Sequence, residues 1–170
     1  ELHAYAHSAR LPLVPIEVLP YPISLAMGAA PADWFGKRLA ALKPESREVV
    51  HVAIPISGAA VGMGYSSTLI EMLHAQSARF KFHVVAKIAP FTRRFLSSMK
   101  GKPYAHLDTF SADREVVDKY EQLYLDHPIS MEITKPSEQA FKALYSFDQV
   151  GGSILLFTKP VGRQEHDNLN

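Results

Sequence analysis

The chain has no cysteine. Disulfides, thiolate nucleophiles and cysteine-held metals are excluded, and the composition suits a reducing compartment, so a cytoplasmic location is the expectation. Neither sign of charge prevails: 18 Lys and Arg face 17 Asp and Glu, for a formal net charge of +1. No charge excess is present to hold nucleic acid or an anionic membrane surface. No apolar run approaches the ~18 residues of a membrane-spanning helix, and no charged-then-apolar signal segment is visible at Glu1. Internal repeats and low-complexity tracts are also lacking. What is present is the composition of a soluble globular domain, 170 residues long, enough to bury one core. Glu1 is not a methionine, and the sequence stops at Asn170 just after a helix is expected to open. The chain is therefore expected to be part of something longer.

Proline divides the sequence. In residues 1–46 it recurs in Leu11-Pro12-Leu13-Val14-Pro15, Leu19-Pro20-Tyr21-Pro22 and Ala30-Pro31. A proline lacks the N–H that helices and central strands need, so this segment reads as extended and loop-rich. Only Ala32 to Leu42 is expected to be helical, with Trp34, Leu39 and Leu42 inward. Residues 47–170 read as one folded domain. There, apolar runs alternate with segments of helical period. Val49 to Ile56, Phe80 to Ile88, Ala105 to Phe110, Ile129 to Ile133 and Ser153 to Thr158 are the expected strands. The helices between them are expected to bury Tyr65, Leu69, Met72 and Leu73, then Phe91 and Phe95, then Val116, Val117, Tyr120, Leu123 and Tyr124, with a further helix over Ser137 to Ser146. Ser111 is the expected N-cap of the third, ahead of Asp113 and Glu115. Strands that alternate with helices predict an α/β fold, a Rossmann-like doubly wound parallel sheet with right-handed crossovers, preceded by the Pro-rich extended N-terminal segment.

Polar turns that follow strands of such a sheet share its carboxyl edge, where ligands bind. Three qualify. The first runs Ser57-Gly58-Ala59-Ala60-Val61-Gly62-Met63-Gly64-Tyr65-Ser66-Ser67. Gly58, Gly62 and Gly64 let an anion approach backbone N–H groups at a helix start, and Ser66, Ser67 and Thr68 add hydroxyls. It is neither a dinucleotide fingerprint nor a P-loop, and a tight turn needing positive φ explains it equally. The second is Lys135-Pro136-Ser137-Glu138, where Pro136 and Ser137 suffice to start a helix. Its amides, with Ser137 or Glu138, also suit a diphosphate or sugar. The third holds Gln164, Glu165 and Asn168, side chains able to bond sugar hydroxyls or simply to solvate a first helical turn. His3 and His7 have i,i+4 spacing without a third ligand, so no metal and no cofactor is assigned. His166 is an equally weak ligand. His106 and Asp108 share one side of a strand without a serine nucleophile beside them. Arg93-Arg94, near a helix start, reads as solvated surface or a phosphate contact.

Taken in order, the Gly-rich turn, Leu107-Asp108-Thr109-Phe110, the helix ending in Tyr124, Ile133-Thr134-Lys135-Pro136-Ser137 and Pro160-Val161-Gly162-Arg163-Gln164-Glu165-His166-Asp167-Asn168 resemble the donor half of GT-B glycosyltransferases. The nearest likeness is to the group of the diacylglycerol glycosyltransferases and the peptidoglycan N-acetylglucosaminyltransferase, over roughly Val49 to Asn170. The resemblance implies transfer of a sugar from a nucleoside diphosphate sugar, a UDP-sugar by preference, to a hydroxyl acceptor. It implies that the loop after Phe110 faces the base and that the Gly58–Gly64 turn and the Ser137 helix start face the diphosphate. Gln164 and Glu165 then face the sugar, with Asn168 supporting their turn. Residues 1–46 are too short for an acceptor half, so a partner domain or second chain is expected to complete the site and supply the general base. Two other readings stand beside this one. A Rossmann-like binding or protein-interaction domain without turnover needs none of these contacts. A phosphoribosyltransferase-like enzyme needs paired acids after a strand, and Asp108 has no acidic neighbour.

Overall fold

Each strand is a short apolar run bounded by polar or turn residues. In the computed structural model, which describes residues 31–56, 63–135 and 153–156, these runs form one sheet. Helix α1 (Trp34–Leu42) leads into β1 (Val50–Ile56). Then follow α2 (Met63–Gln76), β2 (Phe80–Lys87), α3 (Arg93–Met99), β3 (Ala105–Phe110), α4 (Asp113–Asp126), β4 (Ile129–Thr134) and β5 (Ser153–Leu156). All four pairings are parallel, and the strands lie in the order β3-β2-β1-β4-β5. This is the Rossmann-like, doubly wound α/β arrangement that the alternation predicts. The order reverses between β1 and β4, which defines the topological switch point. The helix expected over Ser137 to Ser146 and the Pro-rich residues 1–30 lie outside the described residues.

Strand residues alternate between two cores. Val50, Val52, Ile54 and Ile56 of β1 join Phe82, Val84 and Ala86 of β2 and Ile133 of β4 on one face, under Ile70 of α2 and Phe95 and Met99 of α3. Ala53 and Val85 lie on the other face with Ile129, covered by Val116, Tyr120, Leu123 and Tyr124 of α4. A sheet covered on both sides explains why its strands read as near-continuous apolar runs. The register shifts between His51 and Val52 where β1 meets β4. Gly101, at φ 81°, makes the left-handed turn between α3 and β3, a conformation that glycine adopts without a Cβ penalty.

Several expected faces are rotated. On α2 the inward residues are Ser66 and Ile70, with Met63, Leu69 and Leu73 packed alongside, whereas Tyr65 and Met72 are exposed. Positions 63, 66, 70 and 73 form the stripe that lies over the sheet, and Tyr65 and Met72, two turns apart, share a flank turned away from it. On α1 the buried residues are Arg38 and Ala41, not Leu39 or Leu42, which are exposed, or Trp34, which is partly so. There the Arg38 stem covers apolar surface, with its guanidinium 5.7 Å from the centre of the Phe35 ring. Arg79 ties α1 to the start of the sheet by donating from Nη1 to the Ala41 carbonyl (3.0 Å) and the Glu48 carbonyl (3.3 Å). Phe91 is exposed because α3 begins only at Arg93. The cap of α4 is Ala112 rather than Ser111. Its N–H donates to the Glu115 carboxylate at 3.2 Å, the acid's half of a capping box, and no N-cap side chain accepts from the first helical N–H groups.

Candidate functional site

Two places on the sheet hold polar groups that packing does not account for. One is the carboxyl rim, where α2 opens after β1. The helix there is 14 residues long, and the first turn of a helix carries amides without intrahelical partners and a partial positive charge. Within that turn Ser66 is fully buried and its Oγ has no hydrogen-bond partner. Thr68 spends its hydroxyl on the Gly64 carbonyl at 3.1 Å. Gly64 has no neighbour within 4 Å of where a Cβ would stand, and its backbone is not left-handed, so the fold itself does not demand glycine here. Beside it lies a cavity of about 550 Å³ lined by Gly64, Ser67, Phe91, Arg94 and Ser98. The turn that shapes its far wall is fixed by Thr92, whose buried hydroxyl donates to the Lys87 carbonyl (2.8 Å) and accepts from the Ala89 N–H (3.0 Å).

The sequence-derived candidates divide accordingly. Gly64 and Ser66 sit together at the opening of α2. Phe110 ends β3 at the same rim but packs into the α4 side of the sheet. Lys135 follows β4 at the rim, half-buried and engaged by a neighbour. Gly58, Gly62, Ser137, Glu138, Gln164, Glu165 and Asn168 lie outside the described residues. Arg94, read above as solvated surface or a phosphate contact, is exposed and borders the cavity.

The second place lies on the α4 face, toward the amino ends of the strands. His51 of β1, His83 of β2 and His127, just after α4, bring one ring nitrogen each within 4.8 Å of the others. His51 Nδ1 and His83 Nε2 are 2.9 Å apart and share a hydrogen bond. The His51 and His127 rings stack at 4.8 Å between centres. His83 is 7 % exposed, and its Nδ1 has no partner. Burial, reinforced by His127, pushes His51 down to about 4. Burial, and then the positive charge of the surrounding histidines and Lys119, pushes His83 down to about 3. Burial also lowers His127, against the opposing pull of Asp126. All three rings are thus neutral at physiological pH, each with a lone pair. Next to them His106 Nε2 lies 3.4 Å from Asp108 Oδ1, and Lys119 Nζ lies 3.6 Å from Asp108 Oδ2. Spacing along the chain does not bring this trio out. The available signal was a histidine interrupting each of two buried apolar runs, Val50-His51-Val52 and Phe82-His83-Val84.

A third buried polar group is structural in character. Glu132 of β4 is fully buried, and its Oε2 accepts from the hydroxyls of Tyr120 (2.7 Å) and Tyr124. Its Oε1 has no partner. Burial pushes its carboxyl up to about 7, against the opposing pull of the Tyr124 and Tyr120 hydroxyls.

Comparisons with protein-family models, with curated proteins and with solved structures gave no match. Among the described residues, no helix is long and apolar enough to cross a membrane.

Proposed function

We propose that this Rossmann-like unit binds a nucleoside diphosphate sugar at its carboxyl rim, as the donor half of a GT-B-type glycosyltransferase. The observation that carries the reading is the opening of α2. A helix start and a cavity lined by Gly64, Ser67 and the Arg94 cation lie together at the edge where parallel sheets take phosphorylated ligands, with the buried, unpaired Ser66 hydroxyl on the sheet side of the same turn. The order of motifs toward Asn170 supplies the sugar half of the reading.

In the transfer, the bond between the sugar's anomeric carbon and the diphosphate oxygen breaks as an acceptor hydroxyl attacks that carbon. The diphosphate leaves with the bonding pair, and the acceptor proton passes to a base outside this chain. The contribution of this chain is electrostatic: amide donors at the α2 start and the guanidinium of Arg94 meet the charge that develops on the leaving group. Gln164 and Glu165 hold the sugar hydroxyls.

Calorimetric titration with uridine and other nucleoside diphosphates, and with their sugars, is the test. Arg94→Ala is expected to weaken the diphosphate about 10- to 100-fold, the loss of one charge-assisted hydrogen bond. Arg47→Ala, ahead of β1 at the opposite rim, is expected to leave it unchanged. Replacing both Gln164 and Glu165 by alanine is expected to weaken the sugar nucleotide by ~0.5–1.5 kcal/mol per lost bond, with little effect on the bare diphosphate. Absence of any heat or chemical-shift change at millimolar ligand, in a folded sample, leaves a binding or interaction domain as the better reading.

A further inference from the structure

The histidine cluster lies on the α4 side toward the amino ends of the strands, away from the carboxyl rim, and serves no step of the transfer above. We propose that His51, His83 and His127 form a site for a single divalent cation of the zinc class, which fastens the junction between α4 and β4 to the two central strands. Each ligand comes from a different element: β1, β2 and the residue that follows α4. Their nitrogens already lie within 4.8 Å of one another. Around a tetrahedral ion with bonds of ~2.0–2.1 Å, neighbouring ligand nitrogens stand ~3.3–3.4 Å apart. The 2.9 Å between His51 Nδ1 and His83 Nε2 therefore has to open by only a few tenths of an ångström, and His127 has to turn inward.

Chemistry selects the class of ion. Three imidazoles with no carboxylate among them disfavour calcium and magnesium, which take oxygen ligands, and favour zinc or its first-row neighbours. Asp108, the nearest acid to His106, is already shared between His106 and Lys119. The rings are neutral, and the His51–His83 hydrogen bond puts a proton on one of the two facing nitrogens, so that ring shifts its proton to its other nitrogen when both bind the ion. Three protein ligands leave a fourth position for water. Without an ion, a hydrogen bond joins two of the three clustered rings, and one of these two, His83, is more than nine-tenths buried.

The test uses the chain without a histidine tag, stripped with a chelator and titrated with zinc chloride against a competing chromophoric chelator. Cobalt is added in parallel to read the intense visible bands of a four-coordinate site. One equivalent of zinc per chain is expected, along with a rise in melting temperature that the chelator reverses. His51→Gln, His83→Gln and His127→Gln are each expected to weaken uptake by at least about 100-fold, beyond what loss of an outer-shell group costs. His106→Gln is expected to change it little. Should His83→Gln not fold, His127→Gln carries the test, because its ring is only partly buried at a helix end. Sub-stoichiometric uptake, or uptake that survives His127→Gln in a folded chain, overturns the proposal. Neither result bears on nucleotide binding at the other end of the sheet, so the two readings fail separately.

Discussion

Replacing Glu132 by glutamine should make the protein more stable, by an amount that grows as pH rises from about 4.5 to about 7 and is constant above that. The reason is the cost of ionising a fully buried carboxyl. Its folded pKa is raised from 4.5 to about 7, so between those values the folded state holds a proton that the unfolded state has released. Stability then falls as pH rises through this window, and the whole loss is present above pH 7. A shift of this size corresponds to about 3 kcal/mol. Glutamine has no such proton. It keeps an oxygen to accept the Tyr120 and Tyr124 hydroxyls that now meet Oε2. Urea unfolding of both proteins from pH 4 to 8 measures the difference, and every other titrating group cancels in it. A stability gap that is flat across pH would mean that Glu132 is hydrated in the folded chain.

The second large effect separates two neighbours on α2. Ile70→Ala should cost about 2–5 kcal/mol, because Ile70 is fully buried against β1 and β2 and its truncation leaves a cavity. Met72→Ala should change stability by no more than about 0.5 kcal/mol, as expected for a side chain that is 61 % exposed. Chemical denaturation of the two variants under one condition checks both values. Equal losses would put the helix in the other rotation, with Met72 against the sheet.

That comparison bears on how far the fold is legible in the sequence. Strands were legible almost to the residue because a sheet covered on both faces needs uninterrupted apolar runs. Ala105–Phe110 has the expected bounds, and Val50–Ile56 and Phe80–Lys87 each differ by one residue. Helix phase was less legible. Tyr65 and Met72 look like core residues by size, yet the phase is set by the small Ser66 and by Ile70, which fit beneath the helix where a larger pair does not. On α1 an arginine takes an inward position that apolar counting assigns to leucine, because its long stem behaves as hydrocarbon. The α2 opening was legible as a helix start, although the emptiness around Gly64 and the unpaired Ser66 hydroxyl needed coordinates. The histidine trio was not legible, since its members sit on separate elements that only the sheet register and the α4 crossover bring together. Glu132 was hidden in the same way: Met131-Glu132-Ile133 reads as an ordinary strand until the two tyrosines of α4 close over it.

The strand order has a consequence for how the chain reaches its native state. β1, β2 and β3 are laid side by side by successive local crossovers, so Val50 meets Phe80, and Phe82 meets Ala105, soon after each is made. β1 must wait much longer for its other neighbour, because His51 pairs with Ile129 only after α4 has passed back across the sheet. Contacts so distant in sequence carry a larger loop-closure entropy and form late. During synthesis a three-stranded half-sheet is therefore expected to exist with one flank of β1 unpaired and with Ala53 and Val85 uncovered. An unpaired strand flank of this kind is a template for misassociation with another chain. Arrival of α4 and β4 removes it, and the interval before that arrival is when nascent chains would most need a chaperone.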